Sequence, residues 1–339
     1  VTIMGHSAGG GAVEMLVADA DCHAYFNRAI INSGSDTREM ISDEIAAEQS
    51  QEIFEILGVT SVEQLVNLTD EQISEKMEAI NEVMHSGLRS ADGNVISKTW
   101  WEDLVNGAGA DIDLMIGSVN GEEDWNAVDW DHSVSEPVDD PNVIRDMLET
   151  IETDYAGTYG RLYSLSLDGF YEGFLAMGED PVKQAMDFYN QVCFVYPSLL
   201  LAQAQAEHNP NTYVYYWEYA PAAEEVLEYA GDSAEVSPYG RAMHTMDICY
   251  IFGTKDGYTT LTGDPEKMSD DMIAKAQAMV YSFAKTGDPN HDLVSGWEPY
   301  NAQTQKQMVI SADGSWNCVE GFQSDIMDYF KQLQPYLGE

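Results

Sequence analysis

The first residues of the chain constrain its fold more than any other stretch. An apolar run, VTIM, leads at once into GHSAG (residues 5–9), a serine set between two glycines. Glycine has no Cβ, so glycines on both sides of a sharp turn let a strand and the following helix approach closely. The pattern predicts a strand over residues 1–5, a turn with Ser7 at its tip, and a helix from Gly9 onward.

Strand-like and helix-like segments alternate along the rest of the chain. Runs rich in aliphatic, β-branched and aromatic residues predict strands, and apolar residues at helical spacing predict helices. The predicted strands cover residues 28–33, 112–119, 212–219 and 308–311, and the predicted helices cover 44–58, 70–84, 269–287, about 319–337 and most of about 125–210. This alternation predicts an α/β fold, with a mainly parallel sheet covered by helices on both faces.

The charge of the chain is strongly one-sided. Its 339 residues include 15 Lys and Arg against 59 Asp and Glu, a formal net charge of −44. Such a surface repels phosphate backbones and anionic lipids, so we expect neither nucleic acid nor a membrane as a partner. The sequence also lacks any run of about 18 apolar residues, so it predicts no membrane span.

The four cysteines do not form a metal or redox motif. Cys22, Cys193, Cys249 and Cys318 lie far apart, with no C-x-x-C pair among them. Zinc knuckles and redox motifs need closely spaced cysteines, and four are too few for a disulfide scaffold in a chain of this length. We expect free thiols and no metal site.

The serine turn also carries chemistry. In a strand–turn–helix of this kind, the hydroxyl projects from the carboxyl edge of the sheet, where the following helix directs its free N–H groups. A serine hydroxyl is a weak nucleophile at neutral pH. It needs a histidine to take its proton and a carboxylate to orient that histidine. These partners follow in the order serine, carboxylate, histidine, so those of Ser7 are expected downstream.

Position in the predicted fold selects candidate partners for Ser7. Of the seven histidines, His244 lies in a loop just before an apolar segment, where a rigid scaffold can hold it. His6 adjoins Ser7, but neighbouring side chains diverge at so tight a turn. Glu122 follows the predicted strand 112–119 and would face the same sheet edge as Ser7. In a chain with so many carboxylates, an ordinary surface role for Glu122 fits the pattern equally well.

Five segments share their residues and their order with one known family. GHSAGG resembles that family's G-E-S-A-G-G, with His6 where glutamate is usual, and YFNRAIINSGS (25–35) resembles LFxRAIxQSGS. IGSVNGEE resembles GTNxDEG, HTMDICYIFG resembles HGxELPYVFG, and FAKTGDPN (283–290) matches a late family segment. From residue 1 to about 311, the chain thus resembles the type-B carboxylesterase family, which includes cholinesterases and bacterial para-nitrobenzyl esterases.

The resemblance implies an α/β-hydrolase that cleaves carboxylic esters through an acyl-enzyme. It implies Ser7 as nucleophile, His244 as general base and then general acid, and Glu122 as the acid that orients His244. The N–H of Ala8 is then one oxyanion donor, and Ser33 falls on a family serine beside the triad. The implied partner is a small-molecule carboxylic ester, with no metal and no organic cofactor.

Several alternatives accompany this interpretation. Asp247 matches a family acidic position near His244 and is the second candidate for the triad acid. A non-catalytic cholinesterase-like interaction domain is the rival function from another class, and a peptidase or true lipase is the rival within the serine hydrolases. Aromatic side chains that could line a pocket are more typical of an ordinary core; they are Trp100, Trp101, Trp125, Trp130 and Tyr196.

The resemblance further implies an incomplete catalytic domain. The family's other oxyanion donors come from a Gly-rich loop well upstream of the serine turn, and no such segment follows residue 1. We therefore expect residues 1–339 to be the C-terminal part of a single α/β-hydrolase domain that lacks its N-terminal strands. Loss of one oxyanion donor lowers turnover on the order of 10²–10³-fold, so we expect these residues alone to be inactive or nearly so.

Overall fold

Six strands in the described part of the chain form one sheet, and their order in space is their order in the sequence. The computed structural model describes residues 1–35, 43–83, 93, 96–124 and 172–331. The strands are β1 (Thr2–His6), β2 (Arg28–Asn32), β3 (Asp113–Val119), β4 (Thr212–Trp217), β5 (Gln307–Ile310) and β6 (Trp316–Val319). The first five are parallel and β6 pairs antiparallel with β5, which confirms the mainly parallel sheet predicted from the sequence.

Alternate residues of the inner strands face two different hydrophobic cores. Ile31 on β2 and Ile116 on β3 belong to one cluster, whereas Ile30 and Met115 belong to the other. A strand that is covered on both faces needs apolar residues at nearly every position. This explains why β2 and β3 have nearly continuous apolar sequences, RAIIN and DLMIGSV.

Helices cover both faces of the sheet, as predicted. Those with defined ends are α1 (Ala8–Ala18), α2 (Asp43–Leu57), α3 (Val62–Leu65), α4 (Asp70–Ser74), α5 (Met77–Val83), α6 (Trp100–Val105), α7 (Pro181–Asn190), α8 (Tyr196–Ala206), α9 (Ala223–Ala230), α10 (Met246–Phe252), α11 (Thr259–Thr262), α12 (Asp270–Thr286) and α13 (Ser324–Phe330). Helices α1, α6 and α8 pack in the cluster that contains Ile31, and α10 and α12 pack in the opposite one. None of the helices in the described ranges is long and apolar enough to cross a membrane.

The helix predicted over residues 70–84 is wrong as a single element. The chain divides there into α4 and α5, because the N–H of Lys76 bonds the carbonyl of Ile73 (2.9 Å) in a tight turn. Glu71 and Glu75 lie one helical turn apart, and like charges at this spacing weaken a continuous helix. The break therefore falls where the local charge pattern opposes the helix.

The C-terminal prediction is also corrected. The helix predicted from about residue 319 begins only at Ser324, as α13, and Val319 is instead the last residue of β6. Gly314, with φ 80°, turns the chain between β5 and β6, since that backbone region is open mainly to glycine. Residues 332–339, and residues 125–171 of the predicted helical region, lie outside the described part of the chain.

The turn between β1 and α1 has no room for larger residues. A Cβ on Gly5 would lie 2.0 Å from the carbonyl oxygen of Gly9, and a Cβ on Gly34 would lie 2.2 Å from the carbonyl oxygen of Ser7. Both neighbours are backbone atoms, which cannot move without displacing the turn. Strand, turn and helix are thus in direct backbone contact, and glycine makes that contact possible.

Gly5→Ala is expected to lower the free energy of unfolding by about 2 kcal/mol or more, because overpacking against fixed atoms costs about 1–3 kcal/mol. Gly9→Ala is the matched control, since a Cβ there meets no atom within 4 Å and alanine favours a helix by up to about 1 kcal/mol. Urea unfolding of both variants measures the difference. Equal stability of the two variants would contradict the close contact.

Candidate active site

Ser7 holds a strained backbone conformation between β1 and α1. Its angles are φ 55° and ψ −127°, a region that non-glycine residues rarely enter and that costs of order 1–3 kcal/mol. Hydrogen bonds fix it on both sides. The Ser7 N–H donates to the carbonyl of Asn32 at the end of β2 (2.9 Å), and the Ser7 carbonyl accepts from the amides of Gly10 and Gly11 (2.8 and 3.1 Å). The structure thus contains the sharp turn, with serine at its tip, that the sequence predicts.

The hydroxyl of Ser7 lies beside the first amide of α1. Among the described residues, none accepts a hydrogen bond from the Ala8 N–H, and none bonds Ser7 Oγ. Free N–H groups at the N-terminus of a helix carry a partial positive charge. The turn therefore offers a hydroxyl and an adjacent donor that could stabilise a developing negative charge.

Glu122 lies just beyond the carboxyl end of β3 and is fully buried. Each carboxylate oxygen has its own partner. Oε1 accepts from the Val119 N–H (2.9 Å), and Oε2 lies 2.6 Å from Nδ1 of His244. An ionised carboxylate only accepts, so Nδ1 carries the shared proton and the neutral imidazole keeps its lone pair on Nε2. This is the tautomer that a general base needs.

His244 lies in the loop before α10 and is also buried. Its backbone N–H bonds the carbonyl of Glu122 (3.2 Å), so the two residues are joined by main chain and side chain alike. Burial disfavours the imidazolium, but the hydrogen bond and charge of Glu122 outweigh it and raise the pKa of His244 above its ordinary value. Phe194, in the π-helical turn Gln191–Val195 between α7 and α8, packs its ring 5.2 Å from the imidazole.

His6 brings His244 to the serine turn. The two imidazole rings lie 4.4 Å apart between centroids, and His6 is the chain neighbour of Ser7. The side chain of His6 therefore lies in the site, which sequence reasoning missed. Burial, followed by repulsion from His244, lowers the pKa of His6 to about 4. Its buried Nε2 has no hydrogen-bond partner among the described residues, and a neutral ring faces His244.

Asp247 makes different contacts from those of a triad acid. Its oxygens accept hydrogen bonds from the Tyr215 hydroxyl (2.6 Å) and the Ile248 amide (2.9 Å). Burial raises the pKa of this carboxyl. In the described structure, the carboxylate that bonds the imidazole of His244 belongs to Glu122.

Ser33 lies at the carboxyl end of β2, next to the serine turn. Its N–H bonds the carbonyl of Gly117 (2.7 Å), and it has a left-handed backbone, φ 47°. Its buried hydroxyl finds no hydrogen-bond partner among the described residues. Since Gly34 contacts the backbone of Ser7, Ser33 lies one residue from the turn.

The aromatic residues considered for a pocket belong to the core where the structure describes them. Trp100, Trp101 and Tyr196 are buried in the cluster that contains Ile31. Trp125 and Trp130 lie outside the described residues.

The described residues contain no group of three His, Cys, Asp or Glu side chains placed to hold a metal ion. None of the four cysteines, all of which lie in the described ranges, forms a disulfide.

Sequence reasoning missed side chains that link the loop of Glu122 to the loop of His244. The buried carboxylate of Asp124 pairs with the half-buried guanidinium of Arg241 near Glu122 and His244, and Asn190 bonds Asp124 as well. The sequence does single out Arg241, because it is one of only 15 Lys and Arg residues in the chain and lies three residues before His244. Nothing in the sequence, however, indicates which carboxylate it meets.

Comparisons with known proteins place the chain in one family. The model of the carboxylesterase family matches residues 1–325. Para-nitrobenzyl esterase of Bacillus subtilis (strain 168) is 23% identical over 329 residues, which cover 92% of this chain and 58% of that esterase. Neuroligin-3 of Mus musculus is 20% identical over 380 residues, which cover 99% of this chain and 42% of neuroligin-3.

The fold is likewise that of solved esterases. The structure of a PNB esterase superposes with a TM-score of 0.71 at 19% identity, and the alignment covers 97% of this chain and 62% of that one. The chain therefore has the α/β-hydrolase fold and spans less than two thirds of the length of either esterase. Because the family model matches nearly all of its residues, the chain belongs to the carboxylesterase family.

Proposed function

We propose that this chain supplies the nucleophile, base and acid of a serine carboxylic-ester hydrolase. The observation that carries the proposal is the 2.6 Å hydrogen bond between Glu122 and His244, formed beside the strained turn of Ser7. A buried carboxylate is unfavourable unless it is paired, and this pairing leaves Nε2 of His244 able to accept a proton. The esterases among the relatives support the same assignment.

In the proposed acylation step, a bond from Ser7 Oγ to the acyl carbon replaces the ester C–O bond, and His244 carries one proton from Ser7 to the leaving alkoxide. His244 Nε2 takes the proton of Ser7 Oγ while Oγ bonds the ester carbonyl carbon, and the resulting oxyanion accepts a hydrogen bond from the Ala8 N–H. The imidazolium is stabilised by Glu122 and returns the proton to the alkoxide as the ester C–O bond breaks. The products are an alcohol and an acyl group on Ser7.

Deacylation repeats the step with water. His244 takes a proton from water, whose oxygen attacks the acyl carbon, and then returns that proton to Ser7 Oγ as the carboxylic acid leaves. These steps use no metal and no organic cofactor.

The substrate is a small-molecule carboxylic ester, and the net charge of −44 disfavours strongly anionic esters. We assign Ser33 a supporting role, because the adjacent Gly34 contacts the backbone of Ser7.

Ser7→Ala is expected to abolish labelling by a fluorophosphonate and to lower kcat for a short-chain nitrophenyl ester on the order of 10⁴–10⁶-fold, since the nucleophile is removed. The sample is the protein in its natural full length. Ser50→Ala, at an exposed serine on α2, is the matched control and should leave both readouts unchanged. A full-length protein that neither reacts nor hydrolyses would instead indicate an interaction domain, as its similarity to neuroligin-3 allows.

Glu122→Gln and Asp247→Asn separate the two candidate acids. Glu122→Gln should lower kcat on the order of 10³–10⁴-fold, because the amide no longer favours the productive tautomer or stabilises the imidazolium. Asp247→Asn should lower kcat far less, because its oxygens bond Tyr215 and a backbone amide. Steady-state kinetics measure both losses. A larger loss for Asp247→Asn would transfer the triad role to Asp247.

The pH dependence of kcat/KM should report His244. The base acts only when neutral, so activity rises with pH through its pKa, and the raised pKa of His244 places the midpoint of the acid limb above about 6.5. Glu122→Gln removes the carboxylate that raises this pKa, so the midpoint should move to lower pH. A wild-type midpoint near 4 would assign the limb to His6 instead.

A further inference from the structure

A buried carboxylate, Asp124, lies two residues after Glu122 and accepts an unusual number of hydrogen bonds. Arg241 donates to it twice, from Nε (2.8 Å) and Nη2 (2.6 Å). Asn190 Nδ2 donates to Oδ1 (3.0 Å), and the hydroxyl of Ser237 donates to Oδ2. Asp124 has no exposed surface, so its charge is compensated entirely by these partners.

The charges around this pair alternate in sign. Arg241 Nη1 also bonds Asp187 on α7, and Asp187 accepts from Lys183 Nζ (2.8 Å). The ring of Tyr239 lies 4.9 Å from the guanidinium carbon. Burial opposes the charge of Arg241, but the carboxylates of Asp124 and Asp187 raise its pKa above the ordinary value. Two acids and two bases therefore balance within the network.

The network joins the two loops that carry the proposed acid and base. Asp124 belongs to the loop of Glu122, and Arg241 lies three residues before His244. Between these points the backbones bond directly, from the Gly121 N–H to the carbonyl of Ala242 (2.9 Å). The loops are thus tied on one side by backbone and on the other by the ion pair.

Asn190 connects the same network to a helix. Its side chain donates to Asp124 and accepts from the Glu123 N–H (2.8 Å). Asn190 ends α7, immediately before the π-helical turn that carries Phe194 against His244. The acid loop is therefore fixed to α7 as well as to the base loop.

We infer that Asp124 and Arg241 are positioning residues, which fix the loop of Glu122 against the loop of His244 so that the 2.6 Å hydrogen bond between acid and base is kept. This inference rests on the proposed function. A buried ion pair contributes little net stability compared with apolar side chains of similar volume. A bidentate arginine–carboxylate pair does fix relative orientation, and catalytic groups need orientation within fractions of an ångström.

Arg241→Lys tests the inference because it keeps the charge and removes the bidentate geometry. In the full-length protein, kcat should fall on the order of 10–100-fold, as expected for a displacement of about 1 Å, while KM stays within about threefold. The far-downfield proton resonance of His244 Nδ1–H should shift or broaden, because the bond to Glu122 is loosened. A role confined to stability would leave that resonance unchanged in the folded variant.

Arg28→Lys is the matched control. Arg28 Nε pairs with Asp113 Oδ2 (3.3 Å), but these residues begin β2 and β3 at the opposite edge of the sheet. The control should leave kcat and the resonance at their wild-type values. Urea unfolding of both variants shows whether each is folded under the assay conditions.

If Arg241→Lys does not fold, the double variant of Asp124→Asn with Arg241→Gln decides the question. It removes both charges together, so neither is left buried without a partner, and the same losses in kcat and in the resonance are expected. Folded variants with wild-type kcat and an unshifted resonance would overturn the inference. If the wild-type protein neither hydrolyses esters nor reacts with a fluorophosphonate, the proposed function fails, and the resonance alone still tests the positioning role.

Discussion

The site depends on one buried hydrogen bond between a carboxylate and an imidazole. Glu122 has no exposed surface, and a carboxylate leaves water at a large free-energy penalty unless its oxygens find donors. Val119 satisfies one oxygen and His244 the other. The folded state therefore requires that the loops after β3 and before α10 close on each other. The same hydrogen bond therefore allows Glu122 to be buried and fixes the orientation of the His244 imidazole.

The parallel sheet makes that closure possible for residues far apart in sequence. Parallel strands place all their carboxyl ends along one edge, and here the strand order follows the chain. Ser7 follows β1 and Glu122 follows β3, while His244 enters from the segment after β4. The chain as a whole is strongly acidic, yet the buried acids at this edge are paired locally with imidazole, guanidinium and amide groups.

Sequence reasoning found the parts of this arrangement that are encoded locally. Both ends of helix α12 fall close to the predicted residues. Ser269 caps the first turn, and Gly287, with φ 83°, ends the helix. Strand β6 was missed although Gly314, preceded by aspartate, is a hairpin signal. The pairing of Asp124 with Arg241 could not be predicted from the sequence, since the two residues lie 117 positions apart. With 59 acidic residues in the chain, no local pattern singles out one of them.

Several residues around the site have strained backbone conformations. Five non-glycine residues in the described chain have positive φ, and three of them border the site: Ser7, Ser33 and Thr245. Thr245, with φ 80°, stands where the resembled family segment has glycine, and a β-branched residue is unfavourable in that region. Such residues persist only where their surroundings determine the conformation more strongly than the strain opposes it. The glycine contacts at the Ser7 turn and the ion pair near His244 hold these conformations in place. The geometry of the site therefore depends on the rigidity of this network.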